Sequence, residues 1–421
     1  MASPAIRAYQ IARELARTDD VTLVSPAEPD GQLDKIAFRR EPDGSRAAAR
    51  ALRGFDAVVA QKLRPPVMRA LAASPTRVVY DLYTPALPEG LAALAAGAHD
   101  GVAPLLLRAE ALSQQLALAA GDAFVCTTER QRDFWLGMLG FVGRLDPAAV
   151  REDRMLRGLI EVVPFGVPAE PPAAKGRALK GVIPGIGAED RVLLWAGGIT
   201  DWTDAETVIR AVATLARRRT DVKLFFLGTA KVPRTPTEAR ARELASSLGV
   251  AGTSVFFGDA WVPYDERQNY LLEADLGVAA YLETLEARFA FRARLLDYVW
   301  ALLPIVTTRG DTLGNLVAER GLGKAVAPGD SEAFAAAVEF LLDDAEATER
   351  AGLQLERVRE ELAWPRVVEP LRRLLQDSAA PASRAAARAR LEDAALRARI
   401  SYRFRGGTGM LRRQAGKLGR R

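Results

Sequence analysis

Short apolar runs alternate with longer helix-period stretches along most of this chain, and the alternation comes as two separate series. In the first half DVTLVSP, DAVVAQ, RVVYDLY, DAFVCTT and LIEVVPFG carry Val-rich centres and end on polar or turn residues. They read as strands covered on both faces, because such a strand needs apolar residues at consecutive positions and not at every second one. Ala/Leu/Arg stretches such as PPVMRALAA and LAALAAGAHDGVAPLLLRAEALSQQLALAAG lie between them. In the second half RVLLWAGG, KLFFLGT, SVFFGDA, LGVAAY, LPIVTT and KAVAPGD alternate with stretches such as DAETVIRAVATLARRR and SEAFAAAVEFLLDD. Strand–helix alternation of this kind implies a parallel sheet flanked by helices. Two series imply two α/β domains, and 421 residues suffice for two cores.

The series are separated by PFGVPAEPPAAKGRALKGVIPGIG, which is rich in Pro and Gly and has no periodicity. The expected organisation is a first domain over 1–163, a linker over 164–186 and a second domain over 187–363. A closing helix over 364–377 opens at Trp364–Pro365, and a tail over 378–421 follows. The start is unusual. Pro4 and IRAYQIA look like the loop and first helix of a Rossmann-type half with no strand before them, so the first, central strand is expected to be missing. The tail holds twelve Lys/Arg and two acids, so a net charge of +5 conceals a tail of +10 and a remainder of −5. An Ala/Arg helix of that charge would suit an anionic membrane surface, or be a solvated helix without a target. Nucleic acid is disfavoured, since the tail has few aromatic residues and no recognised module.

No run of about 18 apolar residues is present, so no membrane-spanning helix is expected. Charges come too early for a signal peptide. A lone Cys126 excludes an internal disulfide and fits a reducing compartment. These features place the chain in the cytoplasm, with peripheral attachment to the inner membrane face as the tail's contribution. His99 is the only histidine and reads as a surface loop residue. One His and one Cys give no zinc ligand set and no histidine-based triad, and no Asp-x-Asp metal motif is seen, so no metal or cofactor is expected.

Gly197–Gly198 follow an apolar strand and precede a helix beginning near Asp204. Glycine there allows close backbone approach, and a helix N-terminus offers free N–H groups to a diphosphate; a simple turn is the alternative. Arg288, Arg292 and Arg294 precede the helix that carries Asp297. A guanidinium fork suits phosphate oxygens, whereas a solvated helix face is the plainer reading, taken here for Arg288.

The segments WAGGITDWTDAETVIRA, VFFGDAWVPYDERQNYLLEADLGVAAY and FAFRARLLDYVWALLPIVTTRGD resemble the C-terminal domain of family 4 (group 1) GT-B-fold bacterial glycosyltransferases. IRAYQIARELA, VVYDLYTP and CTTERQRDFWLGMLG are similar to the N-terminal domain of a subgroup used in cell-surface polysaccharide assembly. Together the resemblance spans about residues 1–376. It implies an α/β GT-B fold, two Rossmann-like domains facing across a cleft, and transfer of a sugar from a nucleoside-diphosphate sugar to an acceptor hydroxyl. Polysaccharide or glycolipid acceptors, retention of anomeric configuration and independence from metal belong to the same implication.

The family carries two glutamates eight positions apart before an apolar Pro-Val strand. Counting back from Leu303-Pro304-Ile305-Val306 puts the second on Asp297, which would hold ribose hydroxyls, and the first on Phe289, which cannot approach a sugar. Glu286 or Glu283, just upstream, is the substitute. Glu286 and Arg292 are therefore the candidate catalytic pair. Gly197, Gly198, Trp202, Gly228, Trp261, Val262, Arg294 and Asp297 are the candidate donor-binding set, because strand ends on the carboxyl side of an open parallel sheet line the ligand crevice. Trp300 reads as core, and Arg7, Asp81 and Tyr83 as acceptor-side residues. A sugar-nucleotide epimerase of the same architecture and a non-catalytic transferase-like partner protein are the rival readings.

Overall fold

The computed structural model describes residues 3–29, 33–42, 44–95, 103–229, 235–259, 262–376 and Glu392. His99, Trp261 and the basic tail apart from Glu392 lie outside them. The chain forms two compact units. One gathers Leu15–Leu87, Asp100–Val163 and the segment from Glu369. The other gathers Met1–Glu14, Pro88–His99 and Pro164–Val368.

The first unit contains β1 (Thr22–Ser25), β2 (Ala37–Arg40), β3 (Ala57–Ala60), β4 (Arg77–Asp81), β5 (Ala123–Cys126) and β6 (Ile160–Val162). Strands β3-β4-β5-β6 form one parallel sheet, with Val59 opposite Val79 and Tyr80 opposite Phe124. Strands β1 and β2 form a separate parallel pair, and among the described residues no register joins them to β3. The interior strands are apolar at successive positions and fully buried, as at Val79, Tyr80, Phe124 and Val125. Helices Pro65–Ala72, Ala103–Ala120 and Glu129–Phe141 pack on this sheet through Met68, Leu71, Leu118, Trp135 and Leu139. Thr128 caps the last of them by accepting from the Gln131 N–H at 2.9 Å. Strand β2 has no counterpart in the apolar pattern. Its AFRR is four residues long and mostly exposed, so no hydrophobic run marks it.

The second unit contains β7 (Arg191–Trp195), β8 (Val222–Phe226), β9 (Val255–Phe257), β10 (Leu276–Val278), β11 (Ile305–Thr308) and β12 (Gly323–Val326). All six are parallel in the order β12-β11-β10-β7-β8-β9. The chain therefore winds outward in one direction from β7 and in the other from β10. Their neighbouring carboxyl ends form a topological switch point, where an open sheet leaves a crevice. Helix Ala205–Ala216 buries Val208, Ile209, Val212 and Leu215 against Leu193, Leu224 and the Ser331–Asp343 helix. Each such side chain contributes about 1.5–3 kcal/mol by leaving water.

Tyr298, on helix Arg294–Trp300, fastens the two strands at the switch point. Its hydroxyl accepts from the Ala196 N–H at 2.9 Å and lies 2.8 and 2.9 Å from the Leu194 and Val278 carbonyls, to one of which it donates. Its ring lies flat on β10 because residue 277 is glycine: a Cβ there would sit 2.4 Å from the Tyr298 ring. Burial pushes the phenol well above its usual range, so the group stays neutral and serves as a fixed cross-brace. No helix among the described residues is long and apolar enough to cross a membrane.

Candidate functional site

The carboxyl ends of β7 and β8 bring Gly197, Gly198 and Gly228 together with Arg294. Gly197 follows β7 with φ of +130°, a conformation that L side chains avoid. Gly228 follows β8 and backs the same turn so closely that a Cβ on it would lie 2.2 Å from the Gly197 carbonyl carbon and 2.4 Å from the Gly198 nitrogen. The three glycines thus form one contact in which backbone meets backbone.

Arg294 closes the other side. Its Nη2 donates to the Gly198 carbonyl at 2.5 Å, and its guanidinium lies 4.8 Å from the Trp195 ring centre. A Cβ on Gly197 would come within 3.0 Å of Arg294 Nε, so the missing side chain makes room for the cation. Arg294 Nη1 is buried and meets no acceptor among the described residues. An anion seated at this turn would find a donor already in place.

The helix that starts at Ala205 contributes differently from expectation. Asp204 accepts from the Thr207 N–H at 3.0 Å and the Thr207 hydroxyl at 2.5 Å, so a carboxylate already occupies the helix N-terminus. Asp311 does the same for helix Thr312–Arg320, accepting from the Gly314 N–H at 2.8 Å. Positive charge at this crevice therefore comes from side chains.

Glu286 and Arg292 form a buried bidentate pair, with Nη1–Oε1 at 2.9 Å and Nη2–Oε2 at 2.7 Å. Their side chains are 3% and 6% exposed. Arg292 also stacks 4.3 Å from the Tyr281 ring centre and stands 3.9 Å from Asp311. The five intervening residues, a short 3₁₀ turn over Ala287–Phe289 and a link through Ala290 and Phe291, are what let the two side chains meet. The carboxylate and the Nη1–Nη2 edge are consumed in this pair, while Arg292 Nε is buried and meets no acceptor among the described residues. Glu283 and Arg288 are exposed.

Glu89, on helix Ala86–Ala95, also acts on this pair. Burial, and then the nearby Glu286 charge, push its carboxyl up to about 7 against the opposing pull of Arg292. Burial likewise raises Asp311, again opposed by Arg292. The unfolded chain ionises Glu89 near 4.5 and the folded chain near 7, so between these values the folded state holds the extra proton. Stability is greatest below 4.5 and falls as pH rises to about 7, after which this contribution is flat. Urea unfolding at pH 5 and pH 8 should show a larger loss in the wild type than in Glu89→Gln. Equal losses would remove Glu89 from the network.

Asp297 has a cationic neighbour in the protein. Arg267 Nε donates to its Oδ1 at 3.0 Å, and that guanidinium is held between the Tyr264 and Trp300 rings at 3.6 and 4.6 Å. The Asp297 side chain is 29% exposed. Trp300 is buried as core and donates its Nε1 to the Glu170 carbonyl at 2.8 Å. Trp202 is exposed, and its carbonyl accepts from the Leu282 N–H at 3.3 Å. Val262 lines a cavity of about 420 Å³ with Leu227, Gly258, Asp259 and the stacked rings of Phe225 and Tyr270. Arg7 is fully buried in the second unit, where its Nη1 donates to the Pro164 carbonyl at 3.0 Å. Asp81 and Tyr83 belong to the first unit. Sequence reasoning had missed Glu89, Arg267, Tyr281, Asp311 and Tyr298. Tyr281 and Asp311 lie just past β10 and β11, whereas Glu89, Arg267 and Tyr298 stand on or beside helices, and no local pattern links those three to the strand ends.

Residues 190–344 match the family described as glycosyl transferases group 1. No curated protein matches the chain. Among solved structures it is similar to a glycosyltransferase from Rickettsia africae, at 13% identity and a TM-score of 0.61 over 90% of this chain and 97% of that one. It is also similar to HepE of Anabaena, solved with UDP and glucose, at 13% identity and 0.62 over 89% and 96%. A third is WaaG, a glycosyltransferase involved in lipopolysaccharide biosynthesis, at 16% identity and 0.58 over 90% and 97%. These likenesses concern the fold, which is GT-B with two Rossmann-like domains. The match to the glycosyl transferases group 1 thus covers residues 190–344, which hold the whole six-stranded sheet of the described second unit, and the fold of the chain is GT-B.

Proposed function

We propose that the chain transfers a glycosyl group from a nucleoside-diphosphate sugar to an acceptor hydroxyl. The observation that carries this reading is the turn at Gly197–Gly198, with Gly228 behind it and the unpartnered Arg294 Nη1 beside it. It lies at the switch point of a group 1 domain. In this reading the diphosphate lies against the turn, with Arg294 neutralising its charge. The ribose hydroxyls meet Asp297, and the base lies toward Val262, with Trp202 on a flanking loop. Glu286 and Arg292 then act as a preorganised pair that fixes Tyr281 and Asp311 at the sugar end. The leaving diphosphate helps to take the acceptor proton, which supports a retaining, metal-independent transfer without a cofactor. HepE was solved with UDP and glucose, and WaaG serves lipopolysaccharide biosynthesis; both support a donor of this class and a cell-surface polysaccharide or glycolipid product. The membrane role of the basic tail is part of the proposal and lies outside the described residues.

Calorimetric titration with UDP, GDP, ADP and dTDP tests it. At least one should bind the wild type, and Arg294→Ala should weaken that ligand by roughly 10–100-fold, the worth of a lost charge-assisted hydrogen bond. Asp297→Asn should weaken the nucleoside diphosphate but not inorganic diphosphate. No binding by the wild type, or wild-type affinity in Arg294→Ala, would overturn the assignment. Turnover of the sugar nucleotide to an epimer in the absence of acceptor would favour the epimerase reading.

A further inference from the structure

Glu89 stands against the Glu286–Arg292 pair without bonding to it. It is half-buried on helix Ala86–Ala95, and among the described residues its carboxyl has no hydrogen-bond or ion-pair partner. The other carboxyls of the network are engaged. Glu286 holds Arg292 through both oxygens, and Asp311 accepts from the Gly314 N–H. The charges that act on Glu89 are those of Glu286 and Arg292, both on the segment between β10 and helix Arg294–Trp300. Its own helix, ALPEGLAALA, has no second titratable group.

A continuous set of contacts leads from this carboxyl to the crevice. Arg292 stacks 4.3 Å from the Tyr281 ring centre, and Tyr281 forms a backbone bridge with Thr203, on the loop that follows the Gly197–Gly198 turn. The Arg294 charge acts on the same Tyr281 phenol. In a sugar nucleotide the sugar is joined directly to the diphosphate, so a group this close to the turn is placed to meet it. The network is also short of partners elsewhere: Arg292 is 7% exposed, and its Nε meets no acceptor among the described residues. Polar groups left unmatched away from water are costly until a ligand completes them. Two carboxylates set against one guanidinium repel a phosphate, while Arg292 already supplies the positive charge there. A hydroxyl suits, because it donates to a carboxylate and carries no charge of its own.

We infer that Glu89 recognises a hydroxyl of the sugar being transferred by accepting its hydrogen. This deepens the transferase reading above and rests on it. The carboxyl must be ionised to act as a pure acceptor, and in the free chain burial and the Glu286 charge push it up to about 7. A donating hydroxyl favours the ionised form, so the sugar's share of the affinity grows as pH rises through this value.

Calorimetry of UDP-glucose, UDP-galactose, GDP-mannose, ADP-glucose and dTDP-rhamnose, each against its parent nucleoside diphosphate, isolates that share as a ratio of affinities. At least one sugar nucleotide should bind more tightly than its parent at pH 8, with a ratio that falls roughly fivefold at pH 6. Glu89→Gln should lower the ratio at pH 8 about tenfold and make it independent of pH. A merely structural role would shift both affinities together and leave the ratio alone. A second measurement needs no nucleotide. Coupling of glycine ethyl ester by a water-soluble carbodiimide at pH 7, read by peptide mass mapping, should modify Glu89 well ahead of the enclosed Glu286 and Asp311. An unchanged ratio in Glu89→Gln, a wild-type ratio indifferent to pH, or a Glu89 that couples no faster than the enclosed pair would overturn the inference, and nucleotide binding would then keep the transferase reading in place. Absence of binding by every nucleotide removes the transferase reading itself, and the inference falls with it.

Discussion

Glu286→Ala should lower the unfolding free energy of the chain by about 3–5 kcal/mol, among the largest single-residue losses expected here. Removing the carboxylate leaves the Arg292 guanidinium at 6% exposure with two of its donors suddenly unpaired. Asp311 Oδ2 stands 3.9 Å from Arg292 Nε, beyond hydrogen-bond reach, and the Tyr281 ring offers only a partial substitute. The pair as a whole is a weaker stabiliser than this number suggests, because both charges are taken out of water to make it. A double variant, Glu286→Ala with Arg292→Met, should therefore recover much of the loss. Urea denaturation of the three proteins measures both effects. A single variant within about 0.5 kcal/mol of wild type would show that the pair is solvated in solution.

Gly228→Ala should be nearly as damaging, and it acts on the ligand site as well as on stability. The added methyl would sit 2.2 Å from the Gly197 carbonyl carbon and 2.4 Å from the Gly198 nitrogen. No rotamer relieves a clash between two backbones, so either the turn after β7 or the end of β8 must move. Moving the turn also displaces the Gly198 carbonyl that holds Arg294. A fall of roughly tenfold or more in nucleoside-diphosphate affinity is expected, with a stability loss of about 1–3 kcal/mol. Gly352→Ala is the control. That glycine lies in helix Ala345–Glu361 with nothing within 4 Å of the new methyl, so stability should hold or rise by up to about 1 kcal/mol. Unchanged nucleotide affinity in Gly228→Ala would mean that the turn does not hold the diphosphate.

Together these variants separate two kinds of residue at the switch point. Gly197, Gly198 and Gly228 matter because they lack side chains, and their effect is geometric. Glu286, Arg292, Arg294 and Asp311 matter through charge taken out of water, and their effect depends on partners.

Much of the fold was legible in the amino-acid sequence because fully covered parallel strands must be apolar at successive positions. Among the described residues, eleven of the twelve strands coincide with Val-, Leu- or Phe-rich runs; β2 is exposed and leaves no such trace. The Gly197–Gly198 turn and the start of the next helix at Asp204 were legible for a similar reason, since glycine after a strand and aspartate before a helix are local signals. Local signals also set the limit. That Asp204 marks a helix start can be read from the chain; that its carboxylate fills the site a diphosphate was expected to use requires seeing Thr207 receive it.

The tertiary structure alone decided who is paired with whom. Glu286 and Arg292 are six residues apart with no helical register to align them, Arg267 and Asp297 are thirty apart, and Glu89 comes from another helix altogether. An ionic or hydrogen-bonded partner is fixed by where strand ends and loops converge in space, and that depends on the order in which the strands enter the sheet. Sequence determines that order only through the packing of the whole core, so the scaffold of this protein could be read residue by residue while its charge network could not.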